Sequence, residues 1–227
     1  ATTRDIIVAL PPDQGLTALA ASTPASQFVS VTIPGLSAAP NLSLIWPEGA
    51  RPDQAGFVAG FLAALITTDY RVGVLSPSDT PAGQAAALGF VRGAAYFCGL
   101  CRPAYPPWVY PLSDVAASGS DDEAQAAFER LVASGATTIY LAPGISPQSV
   151  VPAATEKKIL LLGPASTGTG PWAASIRPAP EEALKTLWPS LVQGHGGFIQ
   201  PLPLTISDVD PSSVTDGRLR LANHTLV

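Results

Sequence analysis

Apolar residues along the chain alternate between short continuous runs and longer helical stretches. Short runs rich in β-branched residues and bounded by Gly, Pro, Asp or Ser predict strands, and the Ala-rich stretches between them predict helices. The predicted strands cover 5–10, 27–34, 41–49, 71–76, 108–113, 137–143 and 158–164, and 198–206 is predicted to be extended. The predicted helices cover 16–22, 53–66, 78–97, 120–136, 146–155 and 180–194. Continuous apolar strands that alternate with helices are typical of a parallel sheet covered on both faces, so we expect an α/β fold.

The helix predicted at 53–66 contains twelve consecutive residues without a polar side chain, from Ala55 to Ile66. A bilayer-spanning helix needs about 20 such residues, so this run is too short to cross a membrane. Gly56 and Gly60 lie four residues apart on one helix face. We therefore predict a buried helix whose small residues let another backbone approach closely.

Composition excludes two broad classes of protein. Hydrophobic residues make up 47% of the 227 residues, which is too many for a chain that is disordered throughout. Charged residues make up only 13%, and the net charge is −5. Because binding to phosphates needs a basic face, a nucleic-acid partner is not expected.

The loops that follow the predicted strands are small, polar or rich in Gly and Pro. Ligands of parallel α/β sheets bind beyond the carboxyl ends of the strands, so these loops are the candidate site. They have the sequences PPDQG (11–15), SPSDTPAG (76–83), APGIS (142–146) and GPASTGTG (163–170). The chain has neither a GxGxxG nor a Walker A sequence, so we expect no nucleotide cofactor, and indeed no cofactor of any kind.

Two further motifs have the residue types of catalytic or metal-binding sites. Cys98 and Cys101 form a CxxC pair, which is compatible with a local disulfide, with inert or solvent-facing thiols, or with a redox or metal pair. The HGG sequence at 195–197 is typical of esterase oxyanion holes, but no GxSxG nucleophile accompanies it. We therefore predict a protein that is not an enzyme and holds no metal.

Three segments, QAGFVAGFLAAL (54–65), VGV (72–74) and DTPAGQAAALGFVRGA (79–94), resemble the basic membrane protein family. Its members are PnrA-like substrate-binding lipoproteins of ABC transporters, and the resemblance extends over about residues 5–200. It implies a type I periplasmic-binding fold with two Rossmann-like lobes, of which the first is incomplete because two βα units are missing. The implied first lobe is 1–45 plus 178–205, the second is 46–177, and 206–227 is an irregular tail.

The resemblance also implies a set of ligand contacts in an inter-lobe cleft. The family's first-lobe acid corresponds to Asp13, its third-loop glycine to Gly144, and its lysine to Arg177. Its aromatic residue and a second acid fall on Ala86 and Ala165, so two groups that hold purine nucleosides are missing. The predicted ligand-binding residues are Asp13, Ser78, Asp79, Gly144, Ser166, Trp172 and Arg177.

The function implied by the resemblance is capture of a small polar molecule for an ABC permease. It implies an extracytoplasmic location, with the membrane reached only through an N-terminal lipid anchor that this chain does not contain. Two alternatives stay open. One is a ligand-sensing or protein-interaction module derived from the same fold, and the other is the effector domain of a regulator.

Overall fold

The computed structural model describes residues 5–12, 15–67, 69–97, 107, 109–164 and 170–207, together with the backbone of 224–226. The strands are β1 (Ile6–Ala9), β2 (Gln27–Val31), β3 (Leu42–Ile45), β4 (Val72–Pro77), β5 (Leu112–Ala116), β6 (Thr138–Leu141), β7 (Leu160–Gly163), β8 (Trp172–Pro178), β9 (Ile199–Gln200), β10 (Leu204–Ser207) and β11 (His224–Leu226). The helices are α1 (Leu16–Ser22), α2 (Pro52–Ile66), α3 (Pro81–Phe97), α4 (Asp121–Ala133), α5 (Pro147–Lys157) and α6 (Pro180–Val192).

The chain divides into two compact units. Unit 1 contains residues 1–50, 178–204 and 225–227, and unit 2 contains 51–177 and 205–224. The chain therefore passes between units at 50/51, 177/178, 204/205 and 224/225, whereas the predicted boundaries lie at 45/46, 177/178 and 205/206.

Unit 1 is built on a sheet in the order β1-β2-β3-β9. Its pairs are parallel, with Val29 opposite Val8 on one side and opposite Ser43 on the other. Every residue of β2 and β3 is buried, because helices cover both faces of the sheet. Leu16 of α1 packs with Phe28 and Leu42 on one face, whereas Leu187 and Leu191 of α6 pack with Val29 and Ile45 on the other.

Unit 2 is built on a sheet in the order β11-β10-β8-β7-β6-β4-β5. The pairs from β5 to β8 are parallel, so the carboxyl ends of β4, β5, β6 and β7 meet at one edge, which we call the carboxyl edge. One face of the sheet packs against α4 and α5 in a core that includes Leu75, Phe128, Ile139, Leu161 and Trp172. The expected α/β architecture of parallel sheets flanked by helices is confirmed.

Helices α2 and α3 make an unusually close contact within unit 2. A Cβ atom built on Gly60 of α2 would overlap the backbone carbonyl of Phe90 in α3, and one on Gly93 of α3 would overlap that of Phe57 in α2. Gly56 and Gly89 are equally close to the opposite helix. The prediction that small residues on α2 admit a neighbouring backbone is confirmed, and the neighbour is α3. Of the described helices, none is long and apolar enough to span a bilayer.

Strand β5 lies four residues further along the chain than predicted. The apolar run at 108–113 predicts the strand there, but the observed strand is Leu112–Ala116. It is the edge strand of its sheet, and its first four residues alternate between partly buried and exposed, whereas Ala116 is buried. An edge strand can contain polar residues, and Ser113 and Asp114 lie inside this one. A continuous apolar run therefore does not mark where the strand begins and ends.

The segment predicted as extended at 198–206 contains two strands, and the tail predicted as irregular contains one. The segment divides into β9, which joins the sheet of unit 1, and β10, which joins the sheet of unit 2. Pro201 and Pro203 lie between them, and proline cannot donate a hydrogen bond to a ladder. In the tail, β11 adds a further strand beside β10.

Candidate functional site

Three loops meet at the carboxyl edge of unit 2. They follow β4, β5 and β6, and their backbones are tied together by hydrogen bonds. The amide of Ser78 donates to the carbonyl oxygen of Ala116 at 2.8 Å, and the amide of Gly119 donates to the carbonyl oxygen of Gly144 at 3.1 Å. Because each loop begins at the end of a buried strand, the sheet fixes their positions.

Asp79 is the charged group of this edge. Its Oδ1 accepts hydrogen bonds from the Ser118 hydroxyl at 2.9 Å and from the Ser118 amide at 3.1 Å. These two bonds, with that from the hydroxyl the stronger, hold the pKa of the exposed Asp79 carboxyl below its ordinary value. The group is therefore ionised at neutral pH, and both hydrogen bonds from Ser118 go to Oδ1 rather than Oδ2.

Gly144 makes the close packing of the loops possible. Its φ is +99°, a conformation that side-chain-bearing residues rarely adopt. A Cβ at this position would lie 2.9 Å from Cγ of Pro77 and 3.5 Å from Oγ of Ser118. The glycine thus lets the third loop approach the residues that flank Asp79.

The structure brings Ser78, Asp79 and Gly144 together, and it adds Ser118, which the sequence analysis missed. Ser118 follows β5, and the misplaced end of that strand left it inside a predicted loop with no assigned role. The Ser-Gly pair at 118–119, a frequent turn signal, was the available hint.

Arg177 lies near the carboxyl edge, in the last part of β8. Ser175 of β8 is paired with Gly163, the last residue of β7, and Arg177 comes two residues later. Its side chain is exposed. Its location is compatible with a contact to a ligand bound beyond the strands. Asp13 and Ser166, with Ala165 and the cysteines Cys98 and Cys101, lie outside the described residues.

Trp172 requires a correction. Its side chain is only 1% exposed and belongs to the core cluster of unit 2. The indole is so close to Gly163 that a Cβ there would be 2.8 Å from Cζ3 of the ring. Trp172 begins β8, five of whose seven residues are buried, so its ring packs in the protein interior and the predicted ligand contact is not supported.

Ala86 is part of the helix contact of unit 2. It is fully buried in α3, where its carbonyl oxygen faces Gly56 of α2. The position that the resemblance aligns with the family's aromatic residue is therefore part of the contact between α2 and α3. Among the described residues, no group of three His, Cys, Asp or Glu side chains is placed to hold a metal ion.

Comparison with known proteins gives structural neighbours only. No protein-family model and no curated protein matches the sequence. An ABC transporter solute-binding protein from Conexibacter woesei superposes with a TM-score of 0.70 over 96% of this chain and 79% of that one, at 16% identity. The chain has a type I periplasmic-binding fold.

Two more neighbours show the range of proteins that share this architecture. A solute-binding protein from Agrobacterium vitis bound with α-D-tagatopyranose has a TM-score of 0.57 and 16% identity over 97% of this chain and 80% of that one. A transcriptional activator of the comK gene from Bacillus halodurans has a TM-score of 0.62 and 18% identity over 94% of this chain and 75% of that one. The likenesses establish the fold, and function has to be argued from the site.

Proposed function

We propose that the chain is the extracytoplasmic solute-binding component of an ABC transporter, and that it binds a small polyhydroxylated molecule at the carboxyl edge of unit 2. The observation that carries the proposal is the arrangement of Asp79 and Ser118. Ser118 occupies Oδ1 of the carboxylate and orients it, and Oδ2 is left to accept a hydrogen bond from a ligand hydroxyl.

A ligand with several hydroxyl groups fits the chemistry of the edge. Ser78 is exposed beside Asp79 and offers a hydroxyl that can donate or accept. The Agrobacterium vitis neighbour holds a sugar of this kind, which supports a sugar as the first ligand to try. Nucleosides, the ligands implied by the resemblance to PnrA-like lipoproteins, carry ribose hydroxyls and belong in the same panel.

The proposed mechanism needs no chemical step. The protein captures the ligand because its ligand-bound form is the more stable one, and it delivers the ligand to an ABC permease. Membership of the basic membrane protein family, attachment by an N-terminal lipid and docking to the permease are parts of this proposal. They rest on the three motifs at 54–65, 72–74 and 79–94.

The second candidate is a ligand-sensing module that keeps the site and has no transport role. The likeness to the Bacillus halodurans activator favours it. Both candidates require ligand binding at the carboxyl edge, and they differ in the downstream partner. Neighbouring permease and ATPase genes would favour the transport role.

Asp79→Asn tests the site directly. We expect it to weaken binding of the ligand at least tenfold, because the amide is neutral and a charge-assisted hydrogen bond is lost. The amide oxygen can still accept from Ser118, so the loop keeps its conformation. Isothermal titration calorimetry with the ligand that the wild-type protein binds measures the change.

Glu156→Gln is the matched control. Glu156 is exposed in the last turn of α5, which leads into the amino end of β7, and the variant removes the same charge. It should bind as the wild type does. Equal affinity of Asp79→Asn and wild type would remove Asp79 from the site.

Arg177→Ala, made in parallel, should weaken binding at least tenfold if the ligand bears a carboxylate.

A further inference from the structure

The outer surface of the α2–α3 pair contains a groove of about 500 Å³. Its size lies within the range of small-molecule pockets. Its lining residues come from the N-cap and first turns of α2 and from the middle of α3, and none of them belongs to the loops of the carboxyl edge. They are Arg51, Asp53, Gln54, Phe57, Ala85, Leu88, Gly89 and Arg92.

The walls of the groove are apolar and partly exposed. Leu88 is 51% exposed, and Phe57 faces it from α2. Phe57 also contacts Tyr96, with ring centroids 5.6 Å apart, and Tyr96 is 74% exposed. Apolar side chains therefore continue from the groove along the surface of the helix pair. The close approach of α2 and α3 at their glycines makes this surface possible.

The charges in the groove leave one cation available. Arg51 donates two hydrogen bonds to the Asp53 carboxylate, at 2.8 and 2.7 Å, so that carboxylate is already neutralised. Hydrogen bonding from Arg51 is also the main reason that the pKa of Asp53 lies below its ordinary value. Arg92 is exposed and makes no hydrogen bond or ion pair with the described part of the chain.

We propose that this groove is a binding site for a small amphipathic carboxylate, whose acid group pairs with Arg92 and whose apolar body lies on Phe57 and Leu88. A guanidinium binds a carboxylate through two parallel hydrogen bonds, which sets the orientation of the ligand. The apolar part leaves water on contact with the two side chains. The groove shares no residue with the proposed solute site at Asp79.

A second copy of the chain is a poorer occupant of the same surface. In a two-fold dimer each copy would present the same face to the other. The unpaired Arg92 of one copy would then approach a surface of the same charge, and like charges in an interface are unfavourable. A separate small anion meets no such repulsion.

The experiment uses 2-naphthoate as the probe and its neutral analogue 2-naphthylmethanol, titrated into the full chain by calorimetry. We expect naphthoate to bind at least tenfold more tightly than the alcohol. Arg92→Gln should weaken naphthoate binding about tenfold and leave the alcohol unchanged, because only the carboxylate contact is lost. Leu88→Gln should weaken both.

Lys158→Gln provides the matched control, since it removes one exposed positive charge elsewhere in unit 2. It should leave naphthoate binding unchanged, and a thermal melt should show that each variant is folded. Three results would overturn the proposal: equal affinity for acid and alcohol, no loss with Arg92→Gln, or an equal loss with Lys158→Gln. So would a dimer in sedimentation that Leu88→Gln converts to a monomer.

Discussion

Gly60→Val is expected to destabilise unit 2 by about 3 kcal/mol or more, since overpacking of a tight contact costs about 1–3 kcal/mol and here the obstacle is backbone. Even the first added carbon would overlap the carbonyl oxygen of Phe90, and that carbonyl is held by the hydrogen bonds of α3. The two helices would have to separate along their whole contact. Urea unfolding measures the change in the free energy of unfolding.

Gly93→Val should have an effect of similar size, because it places the same bulk against Phe57 of α2 from the other side. Ala95→Val is the matched control: it is in the same helix, adds the same kind of bulk and faces solvent. It should cost only the difference in helix propensity, less than about 0.7 kcal/mol. If the three variants are equally stable, the close approach of α2 and α3 is wrong.

Trp172→Ala is expected to destabilise the ligand-free protein by about 3–5 kcal/mol, the cost of removing a large aromatic side chain from a core. The ring is 1% exposed and packs with Phe128 and Leu161 of the same cluster. Its removal would leave a cavity that the surrounding strands cannot fill. Denaturant unfolding without ligand measures the loss.

Trp188→Ala is the control for this variant. Trp188 is 47% exposed on α6, so its removal creates little cavity and should cost much less. A small loss of stability for Trp172→Ala, together with a large loss of ligand affinity, would contradict the structural role and restore the ligand contact expected from the sequence.

The fold class could be predicted from the sequence because it depends on local patterns. Continuous apolar runs mark the buried strands, and Ala-rich stretches mark the helices between them. The glycine spacing of α2 also gave the correct physical role. The helix that packs against α2 could not be predicted, although Gly89 and Gly93 of α3 have the same spacing. The spacing of glycines on one helix does not determine which other helix it contacts.

The candidate site was predicted only where its residues follow well-marked strands. Ser78 and Asp79 follow β4, and Gly144 follows β6; both strands are fully buried and easily recognised. Ser118 follows the edge strand β5, whose mixed polarity hid its end. The bond from Ser118 to Asp79 joins residues 39 positions apart, and a contact of that kind is fixed by the pairing of β4 with β5.

Trp172 shows the opposite error. Its location between a Gly-rich loop and a strand predicts a side chain that contacts the ligand. The strand register instead places it opposite Leu161, between sheet and helices. Burial of a side chain at a strand start depends on what packs over it, and the local sequence does not contain that information.

Thermal unfolding of the purified chain against a panel of sugars, nucleosides, amino acids and carboxylates tests the central claim most directly. A ligand that binds only the native state adds about 2.7 kcal/mol of stability at a hundredfold excess over its dissociation constant. The proposed function predicts a raised midpoint with a polyhydroxylated compound, and a shift that is reduced by about half or more in Asp79→Asn but unchanged in Glu156→Gln. A cooperatively folded sample whose midpoint no compound raises would contradict it.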